Sequence, residues 1–349
     1  MPRLAFAVPG GLQVRSGGSI YDRKVAEGLR EEGWWVDVLE WPASFPFPNE
    51  DDRLAVAASL AALPDNALVM IDGLALGTLA GLARREMDRL RLVALVHHPL
   101  ALETGLSPMM ATTFAAEERD ALACVRAVIV TSQTTAAIVE GAFGVPGELI
   151  TVATPGVDKP EAARGERRPG PVRIFTMGSI SPRKAHHVLI EALGRIDDLD
   201  WTCAIAGDLE RDPETAEALI AQIASLGLQA RVRLIGEVTE QQAAALYADA
   251  DLFALASVYE GYGMVFAEAL AHGLPIVATT GGAIPEVVPE AAGLLAEPGD
   301  AAAFAAALGA LVSDPARRGA LAEGSRQAGA YLTGWNRTAV EIASVLERL

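Results

Sequence analysis

Two glutamates eight positions apart, Glu260 and Glu268, sit in a segment whose residue types suit the binding of a polyhydroxylated anion. An apolar run, Leu252–Ala256, reads as a buried strand that ends at Ser257. Glu260 lies just past that end, where open α/β sheets take their ligands. Gly261 and Gly263 keep the loop free of bulk, so a ligand can approach the backbone. A helix starts near Gly263 or Met264, and its first amides favour a phosphate. Glu268 falls in the first turn or two of that helix. Carboxylates beside an anion repel it unless each grips hydroxyl groups. The combination therefore suits sugar hydroxyls at one end, ribose hydroxyls at the other and a diphosphate between them. Taken singly, the two glutamates also read as an ordinary turn residue and a solvated helix residue.

The elements that must position these residues follow from the rest of the chain. At 349 residues, with 51% hydrophobic and 21% charged, the chain carries enough apolar material for two packed domains and is no disordered or fibrous sequence. A net charge of −17 argues against a nucleic-acid partner, which would require a basic face. Cys124 and Cys203 form no disulfide or metal-ligand pattern and read as buried thiols, compatible with a cytoplasmic location. The N-terminal apolar run is too short for a signal peptide, and no run reaches the ~20 apolar residues of a membrane span.

Short, wholly apolar strands alternate with helical periodicity in two series, before and after a polar, aperiodic stretch. Strands are expected at 4–8, 35–39, 68–72, 92–96, 127–131 and 149–153. A second set follows at 172–177, 202–206, 232–235, 252–256 and 276–279. Strands apolar on both faces indicate parallel sheets covered by helices on each side. The expectation is an α/β fold of two doubly wound, Rossmann-like domains facing across a cleft. Their expected bounds are residues 1–160 and 171–335, with a linker at 159–170 and a last helix, 336–349, crossing back to the first domain.

Familiar nucleotide motifs fail. Gly10-Gly11 and Gly17-Gly18 do not make the G-x-G-x-x-G of a dinucleotide fold, and Gly17-Gly18-Ser19-Ile20 lacks the lysine of a P-loop. His97-His98, at the end of a strand, has no metal-ligand partner in sequence, so no metal site is expected.

Glu260-Gly-Tyr-Gly263 with Glu268-Ala269, followed by His272-Gly-Leu-Pro-Ile-Val277 and Gly281-Gly-Ala-Ile-Pro-Glu286, resembles the E-x7-E region of glycosyltransferase family 4, retaining enzymes of the GT-B fold. Thr154-Pro-Gly-Val-Asp158, Ala206-Gly-Asp208 and Tyr247-Ala-Asp-Ala-Asp251 resemble further segments of that family. The resemblance implies that Glu260 contacts the donor sugar and Glu268 the ribose. The amides of Tyr262, Gly263, Met264 and Val265 would meet the sugar and β-phosphate, with Gly261 beside them. Lys184 matches the family's diphosphate lysine and would offset charge on the leaving group. Where the family usually has Gly-Arg-Leu and Lys-Gly, this chain has Gly178-Ser179-Ile180 and Lys184-Ala185. Arg183, in the same loop, is the candidate substitute for the missing arginine. Gly17-Gly18 matches the Gly-rich first loop. His97 stands where the family places a histidine near the reacting sugar, with His98 next to it. Tyr21, Asp22 and Arg23 are acceptor-side candidates, though a solvated helix face explains them equally well.

The implied activity is transfer of a hexose from a nucleotide-diphosphate sugar, as UDP- or GDP-sugar, to an acceptor hydroxyl with retention, without cofactor or metal. Lys184, Glu260 and His97 would be the residues nearest the chemistry. The acceptor is a small molecule, a carbohydrate or a lipid. The run Arg84-Arg85…Arg89…Arg91 reads as a solvated face rather than a lipid-facing stripe. A sugar-nucleotide epimerase of the same fold and a non-catalytic nucleotide-sugar-binding protein are the alternatives. An epimerase would need acid/base carboxylates of its own in the first domain.

Overall fold

A computed structural model describes residues 1–14, 16–160 and 169–349. Most of the expected linker, 161–168, lies outside the described residues. The chain divides into two compact units, Met1–Gly156 with Thr333–Leu349, and Val157–Leu332.

Unit 1 is built on β1 (Arg3–Pro9), β2 (Trp35–Trp41), β3 (Leu68–Asp72), β4 (Arg91–Val96), β5 (Ala127–Val130) and β6 (Ile150–Val152). These pair in parallel in the order β2-β1-β3-β4-β5-β6. Alternate residues of each central strand feed opposite cores. Ala5, Ala7, Val69, Ile71, Leu92 and Ala94 face one side. Leu4, Phe6, Leu68, Met70, Val93 and Leu95 face the other. That two-residue period is why the strands read as unbroken apolar runs.

Unit 2 is built on β7 (Val172–Met177), β8 (Trp201–Ala206), β9 (Val232–Gly236), β10 (Leu252–Ala254), β11 (Ile276–Thr279) and β12 (Gly293–Ala296). Its parallel order is β12-β11-β10-β7-β8-β9. Read from β9, this is the 3-2-1-4-5-6 order of a dinucleotide-type sheet, with its reversal between β7 and β10. In unit 1 the reversal falls between β1 and β3. Both points collect loops at the carboxyl ends of strands, where a ligand can reach bare backbone.

The last helix, Trp335–Leu346, buries Ala339, Ile342, Ala343, Val345 and Leu346 in unit 1. It lies against the first helix, Gly17–Glu31, where a Cβ on Gly28 would come within 2.5 Å of the Ala339 Cβ. Only a glycine allows that approach. The division at Gly156 and Thr333, rather than near 160 and 335, has a packing cause. Val157 is already buried in a unit 2 core. Trp335 stacks edge-on against Tyr21 in unit 1, at 5.8 Å.

Several elements differ from the sequence expectation. Helices at Glu50–Ala61 and Pro108–Leu122 add to the expected elements, and each carries a start signal. Asn49 and Asp52 form a reciprocal capping box, and Ser107 caps a helix with proline at its start. Two short helices, Gly73–Leu76 and Ala80–Glu86, follow β3, the first capped by Asp72. β12 is an additional strand, too short to show a period. Gly17 and Gly18 belong to the first turn of the helix rather than to a loop before it, because Ser16 supplies the cap to the Ser19 amide.

Candidate functional site

In unit 2 the loops after β7 and β10 bring four side chains together. Lys184 follows β7 on a short 3-10 turn, Pro182–Lys184. The turn closes with Ala185 in the left-handed region, φ 46° and ψ 42°, where the family pattern has glycine. The aliphatic stem of Lys184 runs over Gly178, 3.4 Å from where a Cβ would stand. Its Nζ donates to Glu260 Oε1 at 2.6 Å. Ser257 Oγ donates to the same oxygen, also at 2.6 Å. Arg183 donates to the Tyr259 carbonyl at 3.0 Å and stands 3.5 Å from Glu260 Oε2. Burial alone would push the Glu260 carboxyl up. The charges of Lys184 and Arg183 and the bonds from Lys184 and Ser257 outweigh it and hold the carboxyl below its ordinary value. Glu260 is therefore a carboxylate, aimed by three donors.

The backbone of this loop is held just as closely. Glu260 bridges to Gly282, and its carbonyl accepts from the Ala283 amide at 2.8 Å. Gly282 has φ 64°, and a Cβ there would overlap the Glu260 carbonyl. Gly263, at φ 96°, starts the helix Met264–Ala271 with no side-chain cap. The first amides of the helix thus stay available for an anion.

On the same helix, Glu268 Oε2 accepts from the buried Tyr247 hydroxyl at 2.8 Å. Burial, with Asp158 and Glu240 nearby, raises Glu268 to about 7, against the lowering effect of the Tyr247 bond. Tyr262 is half-buried beside the helix start, its hydroxyl pushed up to about 12 by burial and by Glu286. Ser179 does not take up an arginine's role. Its hydroxyl pairs with Ser181 at 3.2 Å, and its carbonyl lies 3.2 Å from His186 Nε2.

Unit 1 holds a second cluster at its own sheet reversal. His97, just after β4, places Nε2 3.0 Å from Asp22 Oδ1 and 3.4 Å from Asp72 Oδ2. Asp22 and Asp72 are buried. Burial opposes charge on His97, but the two aspartates outweigh it and raise the imidazole to about 10. Burial and Asp72 push Asp22 up to about 7, while the imidazolium and other hydrogen bonds overcome burial and hold Asp72 below its ordinary value. These three side chains are also close enough, within 4.8 Å, to ligate a cation. The charges already balance as imidazolium and carboxylate. Gly18 lies flat against the ring, 3.2 Å from Cδ2 to where a Cβ would be, whereas Gly17 faces open space.

The structure separates the remaining unit 1 candidates. Tyr21 is buried, its hydroxyl given to the Ala153 carbonyl at 2.8 Å and its ring set edge-on to His97 at 5.2 Å. Its hydroxyl is spent within the fold. Arg23 is half-exposed on the same helix. His98 turns to Glu103, 3.2 Å away, and does not join the His97 cluster. Among the arginines of the basic run, Arg84 pairs with Asp120, Arg89 with Glu86 and Asp65, and Arg91 donates to the Asn66 carbonyl. No described helix is long and apolar enough to cross a membrane.

Sequence reasoning missed Asp72, Ser257 and Tyr247 as functional neighbours. Asp72 offered one signal, a lone acid closing an apolar strand. Tyr247 opens the segment Tyr247-Ala-Asp-Ala-Asp251 that resembles the family, but nothing in the sequence pointed it at Glu268; Ser257 offered no signal, because its partner is set by the fold.

Comparison with known proteins places the whole of this architecture. Residues 158–328 match the profile described as Glycosyl transferases group 1, and residues 15–160 match that of Glycosyltransferase Family 4. The chain is similar to MMP alpha-(1->4)-mannosyltransferase of Mycolicibacterium hassiacum, 29% identical over 88% of this chain and 77% of the relative. It spans smaller shares, 37% and 66%, of D-inositol 3-phosphate glycosyltransferases of Salinispora tropica and Pseudarthrobacter chlorophenolicus. Among solved structures, sucrose-phosphate synthase of Thermosynechococcus elongatus superposes with a TM-score of 0.82 at 21% identity, covering 100% of this chain and 99% of that one. Anabaena HepE, solved in complex with UDP-glucose, gives 0.77 at 21% identity with full coverage of both chains.

Proposed function

The chain belongs to glycosyltransferase family 4 and has its GT-B fold, and from that premise we propose that it transfers a hexose from a nucleotide-diphosphate sugar to an acceptor hydroxyl with retention of configuration. The observation that carries the reading is the Lys184–Glu260–Ser257 cluster beside the uncapped helix start at Gly263. A cation, a fixed carboxylate and open amides at one sheet reversal match a sugar diphosphate in charge and in hydrogen-bonding sense.

In this reading the diphosphate lies on the amides of Met264 and Val265, near Gly261 and Tyr262. Glu260 accepts from hydroxyls of the sugar and Glu268 from those of the ribose. Lys184 has three N–H donors, so it can keep Glu260 while another hydrogen meets the diphosphate. As the bond from the anomeric carbon to the phosphate oxygen breaks, charge gathers on that phosphate, and Lys184 stabilises it. The acceptor oxygen bonds the anomeric carbon on the same face, and its proton passes to the departing phosphate. No side-chain nucleophile is then required, and no resident metal. Arg183, tied to Tyr259 and Glu260, stiffens the loop and adds positive charge in place of the family's arginine. Unit 1, with His97 and Gly18 at its own sheet reversal, is the acceptor-side unit of this reading. UDP-glucose is the first donor to try, since HepE was solved with it. The reading includes a cytoplasmic protein with a small or carbohydrate acceptor.

A thermal-shift panel of UDP-, GDP- and ADP-glucose tests the reading. One donor should raise the melting temperature in proportion to the logarithm of its concentration, and Lys184→Ala should abolish the rise. Silence towards all three would refute it. The buried carboxylates Asp22 and Asp72 supply what an epimerase would need, so donor alone must be incubated as well. Conversion without acceptor would favour the epimerase.

A further inference from the structure

We propose that Tyr247 is a positioning residue for the donor site, fixing the Glu268 carboxylate so that it can grip the ribose. The inference rests on the donor reading given above. Tyr247 touches no donor in that reading and acts only through Glu268.

The geometry is specific. The Tyr247 ring is buried, with Phe175 edge-on at 4.9 Å, Phe253 at 5.7 Å and His272 stacked at 5.1 Å with an interplanar angle of 19°. Three aromatic neighbours leave the ring no room to swing, so the position of its hydroxyl is determined by the core. That hydroxyl reaches two acceptors on one helix, Glu268 Oε2 at 2.8 Å and the Val265 carbonyl at 3.2 Å. Its single hydrogen goes to the nearer, charged oxygen. Burial and the adjacent Glu268 charge raise the phenol well above its ordinary value, so it stays a donor across the working pH range. Tyr247 thus joins the first turn of the helix, where the diphosphate is proposed to sit, to the carboxylate proposed for the ribose.

The same contact sets when Glu268 is charged. A carboxylate is required to accept from two ribose hydroxyls. Burial, Asp158 and Glu240 raise the group and the Tyr247 bond draws it down, leaving it at about 7. His272 is a further titratable group nearby, stacked on the Tyr247 ring. Donor affinity should therefore climb with pH and level off above the Glu268 midpoint. Removing the hydroxyl should move that midpoint upward.

The test measures affinity for UDP-glucose by calorimetry from about pH 5.5 to 8.5, a range in which its diphosphate diester does not titrate. GDP- or ADP-glucose replaces it if the wild type prefers one of those. Below the midpoint, affinity should rise about tenfold per pH unit. Tyr247→Phe keeps the ring and should displace the rise upward by about one unit. It would then bind roughly tenfold more weakly near pH 6.5 and almost normally at pH 8.5. Glu268→Gln should flatten the curve. Equal weakening at every pH, or an unmoved midpoint, would overturn the inference while leaving the donor reading intact, as would a pH dependence that survives Glu268→Gln. Binding of none of the three donors would instead refute the donor reading and this role with it. Carboxyl NMR titration of Glu268 in the ligand-free protein adds a check that needs no donor: equal midpoints in wild type and Tyr247→Phe overturn the coupling.

Discussion

Glu260 is a buried carboxylate kept charged by its partners, and that arrangement makes its neighbours testable one at a time. Lys184→Ala leaves it with Ser257 and a more distant guanidinium. Breaking a buried pair costs about 3–5 kcal/mol, and the remaining donors place this one at the lower end, about 3 kcal/mol at pH 7. The pairing holds the carboxyl below 4.5, so its contribution is complete above that pH and fades as pH falls through the folded-state value. Urea titrations should therefore show the variant's deficit shrinking in acid. His97 has the opposite sign. Its value rises from 6.5 to about 10 in the fold. Its stabilisation is full below 6.5 and is lost as pH climbs toward 10. Wild-type stability should fall across that interval, and His97→Gln should flatten the slope in urea melts taken at stepped pH. A slope unchanged by the substitution would mean that the imidazole is not held by Asp22 and Asp72.

Single elements depend on glycines at close approaches. The first and last helices of unit 1 meet at Gly28 and Ala339, and a methyl group on Gly28 would fall 2.5 Å from the Ala339 Cβ. Gly28→Ala should cost about 1–3 kcal/mol through overpacking. Adding Ala339→Gly should return much of that loss, because the two changes share one contact. Denaturant midpoints of the two single variants and the double variant measure the coupling. At this scale the sequence was readable where a whole pattern lay in consecutive residues. The strand at 68–72 is such a case. The helices Glu50–Ala61 and Pro108–Leu122 were harder, because few of their residues are buried and their apolar stripes are weak.

For the whole chain, the return of residues 333–349 to unit 1 matters more than its length suggests. Ile342, Val345 and Leu346 complete the core that also holds Phe6, Tyr21 and Met70. Removing them exposes that face, at about 1.5–3 kcal/mol for each fully buried large side chain. A chain ending at Leu332 should lose the cooperative melt of unit 1 while retaining that of unit 2. Calorimetry of the truncated and full-length chains would show whether one transition disappears.

Composition and periodicity were sufficient for two parallel α/β sheets, since strands buried on both faces must be apolar throughout and helices must carry a stripe. The spacing of Glu260, Gly263 and Glu268 was sufficient to bring a strand end, a loop and a helix start together with a carboxylate at each side, because those residues are placed locally. Tertiary structure alone decided which groups complete the site. Lys184 meets Glu260 from a loop 76 residues earlier, Asp72 meets His97 across neighbouring strands, and Tyr247 reaches Glu268 from another helix. It also distinguished His97 from His98 and withdrew Tyr21 into the core. Pairings between distant segments depend on sheet order and on which face each side chain takes, and those are settled only when the strands assemble.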